Sequence, residues 1–191
     1  STVSAEAILP YPKAMATLGD SIAEGMLAGY SLEKPPSLGT ALNLLWLSSD
    51  ADKNQRMSVF RKKLARPDLS WAAGSNTRSV VKSHAERLQE FVPDLKVSNF
   101  AISGNTSFDL AAQVDELLAA EDRQALNFDY VTLMIGANDL AEEDNSKITS
   151  PLEYIGNIET SLRRVLDKDP HRYILVSSLP DVHSIFEQSQ G

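Results

Sequence analysis

The sequence predicts an α/β protein with a parallel β-sheet between two layers of helices. Short apolar segments alternate with longer amphipathic segments along the 191 residues, the pattern of a three-layer α/β/α fold. One segment, residues 128–135, is nearly all apolar, as expected for a strand covered on both faces. Three strand candidates end in small or polar residues, which are typical of turns. The length suits a single domain over residues 1–191.

Four strands are predicted from apolar runs bounded by turn residues. They are Ala14–Leu18, Lys96–Ile102, Phe128–Ile135 and Arg172–Ser178. Helical segments separate successive strands, and crossovers of this kind place the strands parallel in one sheet.

Four helices are predicted from apolar residues at spacings of three and four, over residues 22–28, 80–92, 107–120 and 151–167. Pro93 stops the second helix, and Thr106 caps the third. Ser150 begins a capping box with Pro at the first helical position of the fourth. The residues of the fourth helix expected to face the core are Ile155, Ile158, Leu162 and Val165.

The segment from residue 30 to residue 76 is the least regular part of the sequence. Pro35 and Pro36 interrupt it, and two short helices are predicted over 38–47 and 54–64. A long insertion after the first strand is either a lid over a binding site or a pair of helices packed on the sheet. Both interpretations stay open.

Composition excludes several classes of function. The net charge of −8 argues against a nucleic-acid partner, which would require a basic face. The absence of cysteine excludes disulfides, thiolate metal sites and cysteine nucleophiles. The longest apolar run, residues 41–47, is too short to span a bilayer. The compartment stays open, with a slight preference for an extracytoplasmic or secreted protein.

The chemistry collects where three predicted strands end, at Gly19-Asp20-Ser21, Ser103-Gly104-Asn105 and Gly136-Ala137-Asn138-Asp139. The carboxyl ends of parallel strands meet at one edge of a sheet, where ligands bind. Ser21 supplies a candidate nucleophile there, while the Gly104 backbone N–H and the Asn138 amide are candidate donors to an oxyanion. Each motif by itself also fits an ordinary turn or helix cap.

Together, the three segments resemble the blocks of the SGNH, or GDSL, hydrolases, a superfamily of serine esterases and lipases. Gly19-Asp20-Ser21 matches the first block, with Ile22 where the family name implies Leu. Residues 99–106 match the second and residues 136–139 the third, in the same order and strand context. The resemblance covers residues 14 to 180, and the short sequence 69–74 resembles the phospholipase-B-like branch in particular.

The resemblance implies ester hydrolysis through an acyl-enzyme intermediate, without metal or cofactor. Ser21 would attack the ester carbonyl, and the oxyanion hole would comprise the N–H groups of Ser21 and Gly104 and the side chain of Asn138. Asp20 and Asp139 would hold the loops by hydrogen bonds to backbone. The apolar side chains of residues 38–60 favour acyl-lipid or lysophospholipid substrates over acetylated sugars.

The sequence departs from the family at the catalytic base, because the family's Asp-x-x-His block does not occur. His84 lies within a predicted helix, and His171 precedes the fourth strand at the opposite edge. His183 follows that strand at the correct edge, but its spacing from Asp181 is Asp-x-His, and it comes one strand too early. We therefore expect a chain truncated or nicked at its C-terminus, without the last strand, and a C-terminal fragment that supplies Asp and His as its partner.

Two other interpretations stay open. A flavodoxin-like binding module shares the alternation of strands and helices and the acidic surface. A catalytically inactive SGNH relative that only binds its ligand would also explain the missing base.

Overall fold

The computed structural model of the protein describes residues 11–25, 28, 65–76, 82–140 and 148–179. Most of the predicted insertion over residues 30–76 lies outside these ranges, and so does His183. The single domain and its lid therefore stay predictions.

In the part of the chain that the structure describes, four parallel strands form one sheet in the order β2-β1-β3-β4, which confirms the predicted α/β class. They are β1 (Ala14–Gly19), β2 (Lys96–Asn99), β3 (Tyr130–Met134) and β4 (Tyr173–Val176). All six residues of β1 are buried, because β1 is an interior strand of the sheet and side-chain clusters cover both of its faces. The central position of β1 brings its carboxyl end between the ends of β2 and β3.

The described ranges contain five α-helices: α1 (Ser21–Glu24), α2 (His84–Gln89), α3 (Leu110–Gln124), α4 (Ala137–Leu140) and α5 (Pro151–Lys168). Single 3-10 turns cover Pro67–Leu69 and Ser107–Asp109. The predicted Ser150 capping box is present, with the Glu153 N–H donating to Ser150 Oγ at 3.3 Å. The predicted first helix ends early, because Gly25 adopts a left-handed conformation at φ 88°.

The sheet separates two hydrophobic clusters, and residues of β1 alternate between them. Ala14, Ala16 and Leu18 pack with side chains of α3 and α5. Met15 packs on the other face with Ala85 of α2. Successive side chains of β1 thus contact helices on opposite faces of the sheet, which confirms the three-layer α/β/α architecture.

The prediction that Ile155 of α5 faces the core is wrong, because this residue is 56% exposed. Tyr154 takes the inward position of that turn, and its hydroxyl donates to the Ile135 carbonyl at 2.7 Å. The inward face of α5 then continues through Ile158 and Val165, at helical spacing from Tyr154. No helix in the described ranges has the length and hydropathy of a membrane span.

A buried ion pair joins α3 to the beginning of β4. Arg172 Nη2 donates to Glu121 Oε2 at 2.9 Å, and both side chains are almost completely buried. The other carboxylate oxygen of Glu121 accepts the Phe128 N–H at 2.8 Å. The pair lies at the edge of the sheet where the strands begin, opposite Ser21.

Candidate active site

Ser21 is the first residue of α1, immediately beyond the carboxyl end of β1. Gly19 ends the strand in a close approach to β3, where an added Cβ would lie 2.1 Å from the Met134 carbonyl oxygen. Asp20 follows as the N-cap of α1, and its Oδ1 accepts the Ile22 N–H at 3.0 Å. The sequence Gly-Asp-Ser thus makes a tight turn from strand to helix and leaves Ser21 partly exposed.

Asp20 also ties the nucleophile turn to the end of β3. Its backbone N–H donates to the Met134 carbonyl at 3.3 Å, and its Oδ2 accepts the Ala137 N–H at 3.4 Å. Burial raises the pKa of Asp20, while hydrogen bonds from the backbone N–H groups of Ile22, Ala137 and Gly136 oppose the shift. These contacts are those of a carboxylate that holds the loops together.

Gly104 lies in the turn that follows β2, next to the end of β1. The Ile102 N–H donates to the Gly19 carbonyl at 3.0 Å, which extends the pairing of the two strands to this point. Gly104 has φ 84°, a left-handed conformation that favours glycine. The Asn105 N–H then donates back to the Ile102 carbonyl at 3.1 Å and closes the turn.

Asn138 lies in α4, directly after β3, and faces the same turn. Its Nδ2 donates to the Asn105 carbonyl at 2.8 Å, one residue beyond Gly104. The neighbouring Asp139 accepts the Ser107 N–H at 2.9 Å and the Ser107 hydroxyl at 2.6 Å. The structure therefore brings Ser21, Gly104 and Asn138 to one edge of the sheet.

Two further residues of this edge were missed by the sequence analysis. Glu24 of α1 accepts the Ser103 N–H at 2.8 Å and also the Ser103 hydroxyl. Gln113 of α3 is buried against Gly19: its Oε1 accepts the Gly19 N–H at 2.9 Å, and its Nε2 donates to the Gly19 carbonyl at 2.8 Å. The sequence carried one signal for Gln113: it is a polar residue on the otherwise apolar face of α3.

The two described histidines lie at the opposite edge of the sheet. His84 Nε2 is 2.7 Å from the hydroxyl of Tyr130, the first residue of β3, and burial lowers the pKa of His84. His171 lies two residues before β4, and its backbone N–H donates to Asp169 at 2.9 Å. Within the described part of the chain, no side chain hydrogen bonds to the Ser21 hydroxyl. His183, the predicted base candidate, lies outside that part.

Residues 17–190 match the sequence profile of the GDSL-like Lipase/Acylhydrolase family. Among curated proteins, none matched the chain.

Solved structures with similarity include LAE5, an α/β hydrolase enzyme from the metagenome of Lake Arreo, at 21% identity and a TM-score of 0.44 over 86% of this chain and 59% of that chain. A putative GDSL-like lipase from Parabacteroides merdae matches at 19% identity and a TM-score of 0.37, over 85% and 57% of the two chains. The psychrotrophic esterase EstA from Pseudoalteromonas sp. matches at 15% identity and a TM-score of 0.35, over 89% and 63%. The chain spans less than two thirds of the length of each of these structures.

Proposed function

The chain belongs to the GDSL-like lipase/acylhydrolase family, and on this premise we propose that it is a serine esterase acting through an acyl-enzyme intermediate. The observation that carries the proposal is the hydrogen-bonded edge of the sheet that joins the turns bearing Ser21, Gly104 and Asn138. Ile102 connects the second turn to Gly19, and Asn138 connects the third to Asn105. The turn that carries the proposed nucleophile is thus joined to the turns that carry the two proposed donors.

In the first half of the reaction, Ser21 Oγ attacks the ester carbonyl carbon and transfers its proton to a general base. The carbonyl oxygen becomes an oxyanion that accepts hydrogen bonds from the N–H groups of Ser21 and Gly104 and from Asn138 Nδ2. Preorganised donors of this kind stabilise the transition state because charge develops on the oxygen they face. The tetrahedral intermediate then breaks its bond to the alcohol oxygen, and the base returns the proton to the leaving alcohol.

In the second half, water attacks the acyl group on Ser21 while the base accepts a proton from the water. The bond between the acyl carbon and Ser21 Oγ breaks, the proton returns to Oγ, and the carboxylic acid leaves. The same three donors stabilise the second oxyanion.

The base is proposed to come from an Asp-x-x-His block on a C-terminal fragment, next to β4. Within the described residues β4 pairs only with β3, and Leu175 and Val176 of β4 are 39% and 53% exposed. A further strand paired with β4 would cover them, and its carboxyl end would lie at the same edge of the sheet as Ser21. His183 is the second candidate for the base.

The proposed substrates are acyl-lipid or lysophospholipid esters, as in the phospholipase-B-like branch. The apolar residues 38–60 that first favoured this class lie outside the described ranges. The described part adds two exposed apolar side chains close in sequence to the proposed donors, Phe108 at 59% and Leu140 at 63%. We infer that these two side chains border the site, where apolar surface would favour a substrate with an acyl chain over an acetylated sugar.

A fluorophosphonate probe tests the nucleophile in the protein together with the proposed C-terminal fragment. We expect one covalent label on Ser21, absent in the Ser21→Ala variant. Failure of the folded, complete protein to take the label would favour the inactive binding protein and reject the esterase.

A series of nitrophenyl esters tests the substrate class. We expect kcat/KM to rise from acetate to medium acyl chains and to fall in Asn138→Ala by about 10²–10³ through kcat, the usual cost of losing one oxyanion donor. Hydrolysis of the acetate ester alone would contradict the lipid assignment and favour acetylated sugars.

A further inference from the structure

Glu24 connects the nucleophile helix to the turn that carries Gly104. It is the last residue of α1, three residues after Ser21, and helical hydrogen bonds hold this short helix: the Glu24 N–H donates to Asp20 O at 2.9 Å and the Gly25 N–H to Ser21 O at 3.2 Å. From there, one carboxylate oxygen of Glu24 accepts both the N–H, at 2.8 Å, and the hydroxyl of Ser103.

The contact fixes Ser103 in two ways. The hydrogen bond to its backbone fixes the position of the residue, and the hydrogen bond to its hydroxyl fixes the rotamer of its side chain. Ser103 is 1% exposed, so water does not compete for either group. The peptide bond that follows Ser103 carries the Gly104 N–H, so the position of Ser103 bears on where that N–H lies.

The same pairing of a carboxylate with a serine has another purpose elsewhere in this chain. Glu153 accepts the N–H of Ser150 at 3.1 Å together with its hydroxyl, but those residues are three apart and form a capping box for α5. Glu24 and Ser103 are 79 residues apart, and Ser103 caps no helix. Their contact therefore serves the relative placement of two loops.

Asp139 holds the other end of the same segment through Ser107, with hydrogen bonds of 2.9 and 2.6 Å. The segment 103–107 is thus held at both ends by carboxylates, one from the helix after β1 and the other from the helix after β3. Gly104 lies next to the end of this segment that Glu24 holds.

We propose that Glu24 is a positioning residue that aims the Gly104 N–H at the oxyanion formed on the Ser21 side of the site. The inference rests on the proposed function and names a determinant of its oxyanion hole. Glu24 itself touches neither substrate nor the reacting atoms. It acts through Ser103, by tying the Gly104 turn to the helix that begins at the nucleophile.

The test compares the complete wild-type protein with Glu24→Ala, Glu24→Gln and Ser103→Ala on a nitrophenyl ester. We expect Glu24→Ala to lower kcat by about 10- to 100-fold, below the cost of deleting a donor, and to leave KM within about threefold. Glu24→Gln keeps an acceptor oxygen and should recover most of kcat. Losses in the double variant of Glu24 and Ser103 should be clearly less than additive, because both act through one contact.

The matched control is Glu86→Ala. Glu86 accepts the Ser83 N–H at 2.7 Å in the capping box of α2, remote from Ser21. We expect this variant to lose stability without a change in kcat, whereas a Glu24 variant of equal stability loses kcat.

The outcomes separate this inference from the proposed function. Wild-type protein that is labelled at Ser21 and hydrolyses esters, with a folded Glu24→Ala variant equally active, overturns the role of Glu24 alone. If Glu24→Ala does not fold, Glu24→Gln and Ser103→Ala decide. An unchanged kcat in both variants rejects the role of Glu24. A lower kcat in Ser103→Ala together with a near wild-type kcat in Glu24→Gln supports the role. Wild-type protein that is neither labelled nor active rejects the esterase and this inference with it.

Discussion

Gln113 uses both ends of its amide on the backbone of Gly19. The Gly19 N–H donates to Gln113 Oε1 at 2.9 Å, and Gln113 Nε2 donates to the Gly19 carbonyl at 2.8 Å. Gly19 ends β1, where the chain leaves the sheet to make the turn to Ser21. The Gln113 side chain, 1% exposed, therefore supplies the acceptor for the Gly19 N–H and a donor to the Gly19 carbonyl in addition to the Ile102 N–H.

Gln113→Met should lower the free energy of unfolding by about 1–3 kcal/mol, because the Gly19 N–H is then buried without an acceptor. Esterase activity should fall as well, since Gly19 sets the start of the nucleophile turn. Urea unfolding followed by circular dichroism measures the first effect. The control is Gln89→Met, whose side chain makes one long hydrogen bond of 3.4 Å to Leu95; an equal loss in both variants would contradict the prediction.

Gly19→Ala should disrupt the junction of β1 and β3. The added methyl would meet the Met134 oxygen at 2.1 Å and the Ala23 Cβ at 2.7 Å, at a backbone φ of 147° that side chains rarely adopt. We expect severe loss of folded protein and of fluorophosphonate labelling.

Gly156→Ala is the matched control, because nothing lies within 4 Å of its added methyl in helix α5. Alanine favours a helix interior by about 0.5–1 kcal/mol over glycine, so this variant should have a higher melting temperature. Equal melting temperatures for the two glycine variants would show that close packing at Gly19 is unimportant.

Arg172→Met should lower stability by about 3–5 kcal/mol, since it leaves the Glu121 carboxylate buried without its cation. The double variant Arg172→Met with Glu121→Gln should recover part of the loss, because no unpaired charge then remains. Arg163→Ala provides the surface control: this arginine lies 3.8 Å from Glu159 and is 73% exposed, so its loss should be small. The denaturant midpoints of all three variants, compared at a constant slope of unfolding free energy against denaturant, would measure these losses of stability.

The stability of the protein should fall as the pH drops below 6.5, in part through His84. Burial, followed by the nearby charge of Arg87, lowers the pKa of His84 from 6.5 in the folded state. The folded state then binds a proton less readily than the unfolded state. The contribution is therefore complete above pH 6.5 and is lost as the pH falls through the lowered pKa.

Urea unfolding between about pH 5 and about pH 8 measures this effect. His84→Gln should flatten the dependence of unfolding free energy on pH in this range relative to wild type. An identical slope in wild type and His84→Gln would contradict the assignment.

Most of the fold was predictable because apolar periodicity reports burial. The run over residues 128–135 contains β3, and the spacing of Leu110, Val114 and Leu117 marks the buried face of α3. The ends of the helices were less predictable. Helix α2 begins at His84 rather than at residue 80, because the capping box of Ser83 and Glu86 starts it there. That Ser-x-x-Glu sequence was a local signal that the periodicity of the segment concealed.

The sequence by itself determined which residues end the strands, and so it brought Ser21, Gly104 and Asn138 to one edge, because parallel strands place their carboxyl ends together. Tertiary structure alone decided how these turns are held. Glu24 reaches Ser103 across 79 residues and Gln113 reaches Gly19 across 94. Contacts so distant in sequence leave no periodic trace, since each depends on how separate elements pack. A polar side chain on an apolar face, as at Gln113, is the one sign of them that a sequence carries.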